Sequence, residues 1–302
     1  MFSFNTDTLE LTLSPFTLFV IGGAFSIHWL WSTIGQSPRQ KVMLATWGAP
    51  REGCIFTKAA LDCTEMLAYI KEKNEGLEPN DVNRVTVTHF VGRALAECLK
   101  DAPDLNRRIL WNRFLPNKTL DISFLVQVLG GRNLYQAKVE AIDKKSIREV
   151  ASILNSKVKP IRSGSDKNMS KSMGPMKFLP VWVIRTVMYF VGWASNVVGI
   201  DMSMFGMEKR PFGCCIVTSV GMLGIEDAYV PFSPYTNVSL FVMIGAIKDH
   251  VVVVDGKPAV RPMVNICATL DHRFLDGFQG ASIGKKLERV FANPSLIDKK
   301  AD

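Results

Sequence analysis

The sequence predicts an α/β fold, on three observations. Segments with apolar residues at helical spacing alternate with short apolar runs of strand length. Several of those runs end in turn formers, namely Gly130-Gly131, the glycine-rich stretch after Ser219, and Asp255-Gly256. The chain has 302 residues, 47% of them hydrophobic, enough for one large domain or two small ones.

The elements follow in order. Residues 64–73 read as a short helix with Leu67 and Ile70 inward. Thr88 is the expected N-cap of a helix over residues 88–100, with Phe90, Val91, Ala94, Leu95, Cys98 and Leu99 on one face. Residues 121–128 and 134–142 read as strands around the Gly130-Gly131 turn. Ser146 caps a helix that carries Ile147, Val150, Ala151, Leu154 and Val158 at helical spacing. Residues 214–224, CCIVTSVGMLG, form an apolar strand that ends in Thr-Ser and a glycine-rich turn. Residues 238–247, VSLFVMIGAI, are another apolar strand, and the valine run 251–254 enters a hairpin turn at Asp255-Gly256. A further apolar run, 263–270, precedes a closing helix over 278–293.

Two stretches are more apolar than an α/β core needs. Residues 15–34, PFTLFVIGGAFSIHWLWSTI, carry no formal charge and match the length of a bilayer core. Trp29 and Trp31 cluster towards the C-terminal end, as at a membrane interface. A signal peptide fits less well, because residues 1–14 hold Asp7 and Glu10 but no Lys or Arg. A buried helix is the other alternative. Basic residues begin after the stretch, at Arg39, Lys41 and Arg51, which places the N-terminus outside and the remainder on the cytoplasmic side. The expected organisation is therefore an N-terminal membrane-anchor helix over 1–36 and a domain over 37–302 with an apolar helical insertion at about 170–210. Within that insertion, residues 178–200 contain Arg185, which is costly inside a span. Trp182, Tyr189 and Trp193, with lysines nearby, suit a helix lying on the bilayer surface; burial against a partner and a true span are the alternatives.

Net charge is +8, which suits an anionic ligand or an anionic membrane surface. The basic residues are scattered rather than interleaved with aromatics, which argues against nucleic-acid binding. The six cysteines, at 54, 63, 98, 214, 215 and 267, form no Cys-x-x-Cys pair, and the four histidines are dispersed, so no metal site is expected. Buried free thiols are the simplest reading.

The chemistry is written in Asp271-His272-Arg273-Phe274-Leu275-Asp276-Gly277. A histidine at a strand's end sits in a loop that supplies a carboxylate four residues on, and histidine is the side chain best suited to take a proton near neutral pH. The plain alternative is a salt-bridged loop packing the strand end. His89 begins a helix and His250 precedes a strand; both read as structural or surface residues.

Taken with the Thr218-Ser219-Val220-Gly221-Met222-Leu223-Gly224 turn and the two apolar strands that follow it, this motif resembles the catalytic domain of the dihydrolipoamide acyltransferases, the 2-oxoacid dehydrogenase acyltransferase family. The resemblance covers roughly residues 41–294 and is strongest from Gly213 onward. Pro103-Asp104-Leu105-Asn106 and Lys144-Lys145-Ser146-Ile147 match the same layout. It implies a chloramphenicol acetyltransferase-like fold, a mixed sheet with helices on one side, and a trimer whose active sites lie between subunits. It also implies coenzyme A or acyl-CoA as substrate. His272 would then be the general base and Thr218 the oxyanion donor, facing each other from neighbouring subunits. Adjacent strand residues point to opposite faces, so Ser219 takes that role only if the register is off by one. Asp276 would hold the loop by pairing with an arginine, and Ser219 and Gly221 would border the CoA channel.

The sequence departs from the family in two places. No lipoyl or subunit-binding domain is expected on this chain, and the apolar 15–34 stretch stands where they would be. The 170–210 region is also longer and more apolar. A stand-alone, membrane-attached acyltransferase is the expected function. No nucleophile-elbow sequence is present, which favours direct transfer over an acyl-enzyme. The alternative is a non-catalytic trimeric scaffold or accessory subunit of a membrane complex.

Overall fold

A computed structural model describes residues 2–5, 10–13, 15–33, 54–110, 113–128, 133–162, 179–203, 209–275 and 277–298. The chain divides into two compact units: Met1–Pro50 with Lys167–Val191, and Arg51–Asp166 with Gly192–Asp302.

The first unit contains a small antiparallel hairpin, β1 (Phe2–Asn5) and β2 (Glu10–Leu13), and a helix α1 (Pro15–Thr33). It also holds most of α5 (Val181–Gly192). The ring of Phe25 on α1 meets Trp182 on α5 edge-on, with centroids 5.9 Å apart. The large apolar side chains described on α1 are exposed, Phe16 and Phe19 at 72% and 78%. The Gly130-Gly131 turn falls outside the described residues.

The second unit is built on a seven-stranded sheet. Its members are β3 (Cys54–Asp62), β6 (Ile122–Val128), β7 (Asn133–Val139), β8 (Cys215–Ser219), β9 (Leu240–Ile244), β10 (Lys248–Val254) and β11 (Lys257–Asp271). The order is β10-β11-β9-β8-β6-β7, and β3 also pairs with β11. β8 runs parallel to both β6 and β9, whereas β3, β7 and β10 join by antiparallel pairing, so the sheet is mixed. The Asp255-Gly256 turn is as expected: both residues have positive φ, 49° and 76°, and Val254 pairs directly with Lys257 across a two-residue loop. A separate two-stranded ribbon, β4 (Arg107–Leu110) and β5 (Arg113–Pro116), lies off the sheet.

Four helices cover one face: α2 (Thr64–Lys73), α3 (Val87–Leu99), α4 (Ile147–Arg162) and α6 (Gly277–Ala292). The apolar stripe expected on α3 is buried throughout, and so is that of α4. Each such large side chain contributes about 1.5–3 kcal/mol by leaving water. Gly92 lies in the middle of α3 because a Cβ there would overlap the ring of Phe124 on β6. The opposite sheet face carries a smaller cluster, Phe212, Ile216, Val238 and Phe241.

Some details differ from the sequence reading. On α2 the fully buried residues are Met66 and Tyr69, with Leu67 and Ile70 only partly covered; the helix meets its neighbours along a stripe one position earlier. The α3 N-cap is Thr86, not Thr88, and His89 closes the cap by accepting the Thr86 amide at 3.1 Å on Nδ1. His250 lies within β10, at the surface beside Glu226, rather than ahead of a strand. Ser146 does cap α4, exchanging hydrogen bonds with Glu149.

His89 gives the unit an acid sensitivity. Burial lowers its pKa to about 4, from 6.5 in the unfolded chain. The stability held by this neutral ring is complete above about pH 6.5 and is lost as pH falls towards 4, amounting to about 3 kcal/mol. His89→Gln should therefore flatten the fall of melting temperature between pH 6.5 and 4. Equal slopes in variant and wild type would assign that fall to other groups.

Candidate active site

β11 delivers His272 to the end of the sheet. The strand breaks there because Asp271, buried at its last position, turns back to hold the loop. Its carboxylate accepts from the Arg273 amide at 3.0 Å and from the Arg273 guanidinium. Asp271 thus ties the turn that presents the histidine. Asp276, the carboxylate expected to do this, lies outside the described residues.

His272 is exposed on one side and anchored on the other. Its Nδ1 is 2.9 Å from the carbonyl oxygen of Leu275. A carbonyl oxygen only accepts, so the neutral ring carries its proton on Nδ1 and keeps the Nε2 lone pair free to receive one. The ring borders a cavity of about 300 Å³, lined also by Asp104, Arg107, Phe114 and Phe274. Phe114 of β5 packs edge-on against Phe274, centroids 5.6 Å apart, which closes one wall with apolar surface.

The two candidate hydroxyls of β8 separate by face. Cys215 and Val217 join the core beneath the helices, so by strand alternation Ser219 shares their face. Ile216 belongs to the cluster on the opposite side, and Thr218 shares that face with it. Thr218 is half-buried, and its hydroxyl has no hydrogen-bond partner among the described residues, which leaves it available to a ligand. Gly221 begins a short 3₁₀ turn, Gly221–Leu223, where a Cβ would collide with the Gly245 carbonyl.

Within one chain, His272 and Thr218 do not meet. Thr218 pairs with Met243, and Met243 pairs with Cys267. His272 stands five positions beyond Cys267 (272 − 267), which at about 3.3 Å per residue, with two strand spacings crossed, separates the two by roughly 15–20 Å.

Four of the buried cysteines are ill-suited to act as nucleophiles. Burial raises the Cys63, Cys98 and Cys214 thiols to about 12 and Cys215 well above the ordinary thiol value. Among the described residues no His/Cys/Asp/Glu group is arranged to hold a metal ion. Arg107 and Phe114 were not singled out from the sequence, because only the fold of the β4–β5 ribbon against the His272 loop brings them there.

Comparison with known proteins gives a consistent picture. The family described as 2-oxoacid dehydrogenases acyltransferase (catalytic domain) matches residues 43–172 and 209–297, leaving out the stretch that carries α5. The chain is 26% identical over 245 residues to the lipoamide acyltransferase component of the branched-chain alpha-keto acid dehydrogenase complex of Bacillus subtilis. That match takes in 81% of this chain and 47% of the relative. It is 21% identical over 243 residues to a dihydrolipoyllysine-residue succinyltransferase of Rickettsia typhi, covering 80% of this chain and 50% of the relative. The chain thus spans about half the length of the curated relatives it matches. Its fold is that of the cubic core of the pyruvate dehydrogenase multienzyme complex, with a TM-score of 0.59 and 18% identity over 97% of this chain and 96% of that one. A probable dihydrolipoamide acetyltransferase from Listeria monocytogenes gives a TM-score of 0.58 at 18% identity over 93% and 94% of the two chains.

Proposed function

Because the chain belongs to the 2-oxoacid dehydrogenase acyltransferase (catalytic domain) family, we propose that it transfers an acyl group from a CoA thioester to a thiol acceptor, with His272 as general base. The observation that carries this reading is the His272 ring itself. Its Nδ1 is tied to the Leu275 carbonyl and its Nε2 is free, at the edge of a 300 Å³ cavity.

Nε2 takes the proton of the acceptor thiol, and the thiolate attacks the thioester carbonyl carbon. The electron pair of the C=O moves onto oxygen. Thr218 donates its hydroxyl to that oxyanion, an interaction strongest in the tetrahedral state. The intermediate collapses, the bond to the CoA sulfur breaks, and the leaving thiolate recovers the proton from the imidazolium. No acyl-enzyme forms.

For both groups to act on one substrate across the roughly 15–20 Å that separates His272 and Thr218 in one chain, the two come from different copies. A trimer, in which each subunit lends its base to its neighbour's oxyanion donor, satisfies that requirement three times by one symmetry operation. The substrate channel then runs between subunits, bordered by the Gly221 turn.

The test is to incubate the purified full chain with acetyl-CoA and follow free CoA, with and without dihydrolipoamide. Acceptor-dependent release supports transfer. Absence of release with any thiol would favour the scaffold reading, for which the large apolar surface of α1 is the supporting observation.

The proposal places the protein at a membrane, with α1 as its anchor. Its 19 residues reach about 28 Å at ~1.5 Å per residue, close to the ~30 Å hydrocarbon core. A helix whose large exposed side chains are Phe, Val and Ile belongs in lipid or inside an assembly. Among the described residues, the helix long and apolar enough to cross by length and composition alone is Val181–Val198, running from α5 into a π-helical turn. Arg185 is exposed on it beside Trp182, Tyr189 and Phe190, which suits a helix lying in the interface with the guanidinium reaching the headgroups. Deleting residues 1–36 should therefore convert tight membrane association into a peripheral one released by salt or mild detergent, with the catalytic unit still folded. Full-length protein found wholly in the soluble fraction at low salt would contradict the anchor.

A further inference from the structure

A second cavity lies next to the His272 cavity, and Arg107 borders both. Two arginines converge on it: Arg108 on β4 and Arg210, just before β8. The Nε of each is buried and has no hydrogen-bond partner. Arg108 uses one terminal nitrogen on the Pro116 carbonyl and the Asn117 side chain, at 3.1 and 3.3 Å. Neither guanidinium has an acidic partner among the described residues. Asp121 lines the same cavity, but its Oδ1 accepts the Ala141 amide at 2.9 Å, and no ion pair joins it to either arginine. Arg107 is already paired with Asp104 at 2.7 Å.

Two like charges held together with buried, unanswered donors are unfavourable unless something negative completes them. Burial, and then the charge of Arg210, lower the Arg108 pKa, which places the two guanidiniums within electrostatic reach of each other. Asn117, Asn196 and Asn237 add neutral polar groups around the same space. The cavity is only about 20 Å³, room for one oxygen-sized atom. Its occupant is therefore the terminal oxygen of a group whose remainder lies outside.

We propose that Arg108 and Arg210 form an oxyanion-recognition subsite that reads a carboxylate or phosphate carried by the substrate bound beside His272. The site's existence rests on the arginines alone; its assignment to the substrate rests on the acyltransferase reading. Arginine suits the task because its planar guanidinium stays charged when partly buried and holds its N–H donors in fixed directions towards an oxygen. A terminal carboxylate on the acyl group and a phosphate of CoA present the same chemistry.

The first arm uses the full chain and inorganic phosphate, against chloride at equal ionic strength, followed by thermal unfolding. Phosphate should raise the melting temperature of the wild type. Arg108→Gln and Arg210→Asn should lose that rise, and without phosphate should melt no lower than wild type, since one of two mutually repelling positive charges is gone. Asn is chosen at 210 because the backbone there has φ of 47°, which Asn tolerates. Arg108→Lys, which keeps charge but not the planar guanidinium, should keep part of the response. A wild type indifferent to phosphate, or variants that melt lower yet respond equally, would overturn the site.

The second arm measures binding calorimetrically, with acetyl-CoA, acetyl-pantetheine and succinyl-pantetheine. If the subsite reads an acyl carboxylate, the variants weaken succinyl-pantetheine by about 10–100-fold and leave the acetyl esters unchanged. If it reads a CoA phosphate, only acetyl-CoA weakens. Loss of all three ligands, or of none, overturns the link to substrate. A wild type that answers phosphate but binds no ester would leave the anion site standing and refute the acyltransferase reading instead.

Discussion

His272→Ala should lower acyl transfer from acetyl-CoA to dihydrolipoamide by about two to four orders of magnitude, while the oligomer keeps its size. The size of the effect follows from what the ring does: without it the thiol must lose its proton to water. The retained assembly follows from position. His272 is exposed and makes its one described hydrogen bond within its own loop, to Leu275, so its removal leaves no buried group unanswered. The turn that carries it is held by Asp271 and Arg273 and survives the change. Turnover near the wild-type rate would remove His272 from the chemistry.

Thr218→Ala should lower turnover by about two to three orders of magnitude, the loss of one oxyanion donor, with acyl-CoA affinity nearly unchanged. The hydroxyl has no partner among the described residues, so its loss costs the resting protein little. Ser219→Ala is the internal control. Ser219 lies on the helix-covered face, and its variant should turn over at close to the wild-type rate. If Ser219→Ala gave the large loss and Thr218→Ala did not, the face assignment of β8 would be reversed. Measuring KM and kcat separately distinguishes a lost oxyanion donor from a lost substrate contact.

Most of the second unit was legible because its signals are local. The α3 and α4 stripes follow from the spacing of residues such as Phe90, Ala94 and Leu154, and the β10–β11 turn from Asp255-Gly256 alone. The His272 loop was legible as a motif, and the placing of Thr218 and Ser219 on opposite faces of β8 from strand alternation. What was not legible depends on contacts far apart in sequence. The α3 cap moved to Thr86 because His89, buried by the rest of the unit, supplies the reciprocal acceptor. The stripe of α2 shifted to Met66 and Tyr69 because Tyr69 reaches Asp298, 229 positions away, with a 2.7 Å hydrogen bond. Asp271 holds Arg273, a pairing two residues apart that only the turn geometry selects. Arg108 and Arg210 look like ordinary surface charges until the fold sets them side by side.

The central claim is a site shared between copies, with the base from one and the oxyanion donor from the next. Mixing tests it most directly. His272→Ala and Thr218→Ala chains are co-assembled in equal amounts and assayed for transfer, beside each variant alone. In a randomly mixed ring, about one interface in four joins an intact His272 to an intact Thr218, so activity should recover to about a quarter of wild type from two nearly inactive parents. Recovery no greater than the sum of the two parents, in assemblies verified to contain both chains, would contradict the shared site.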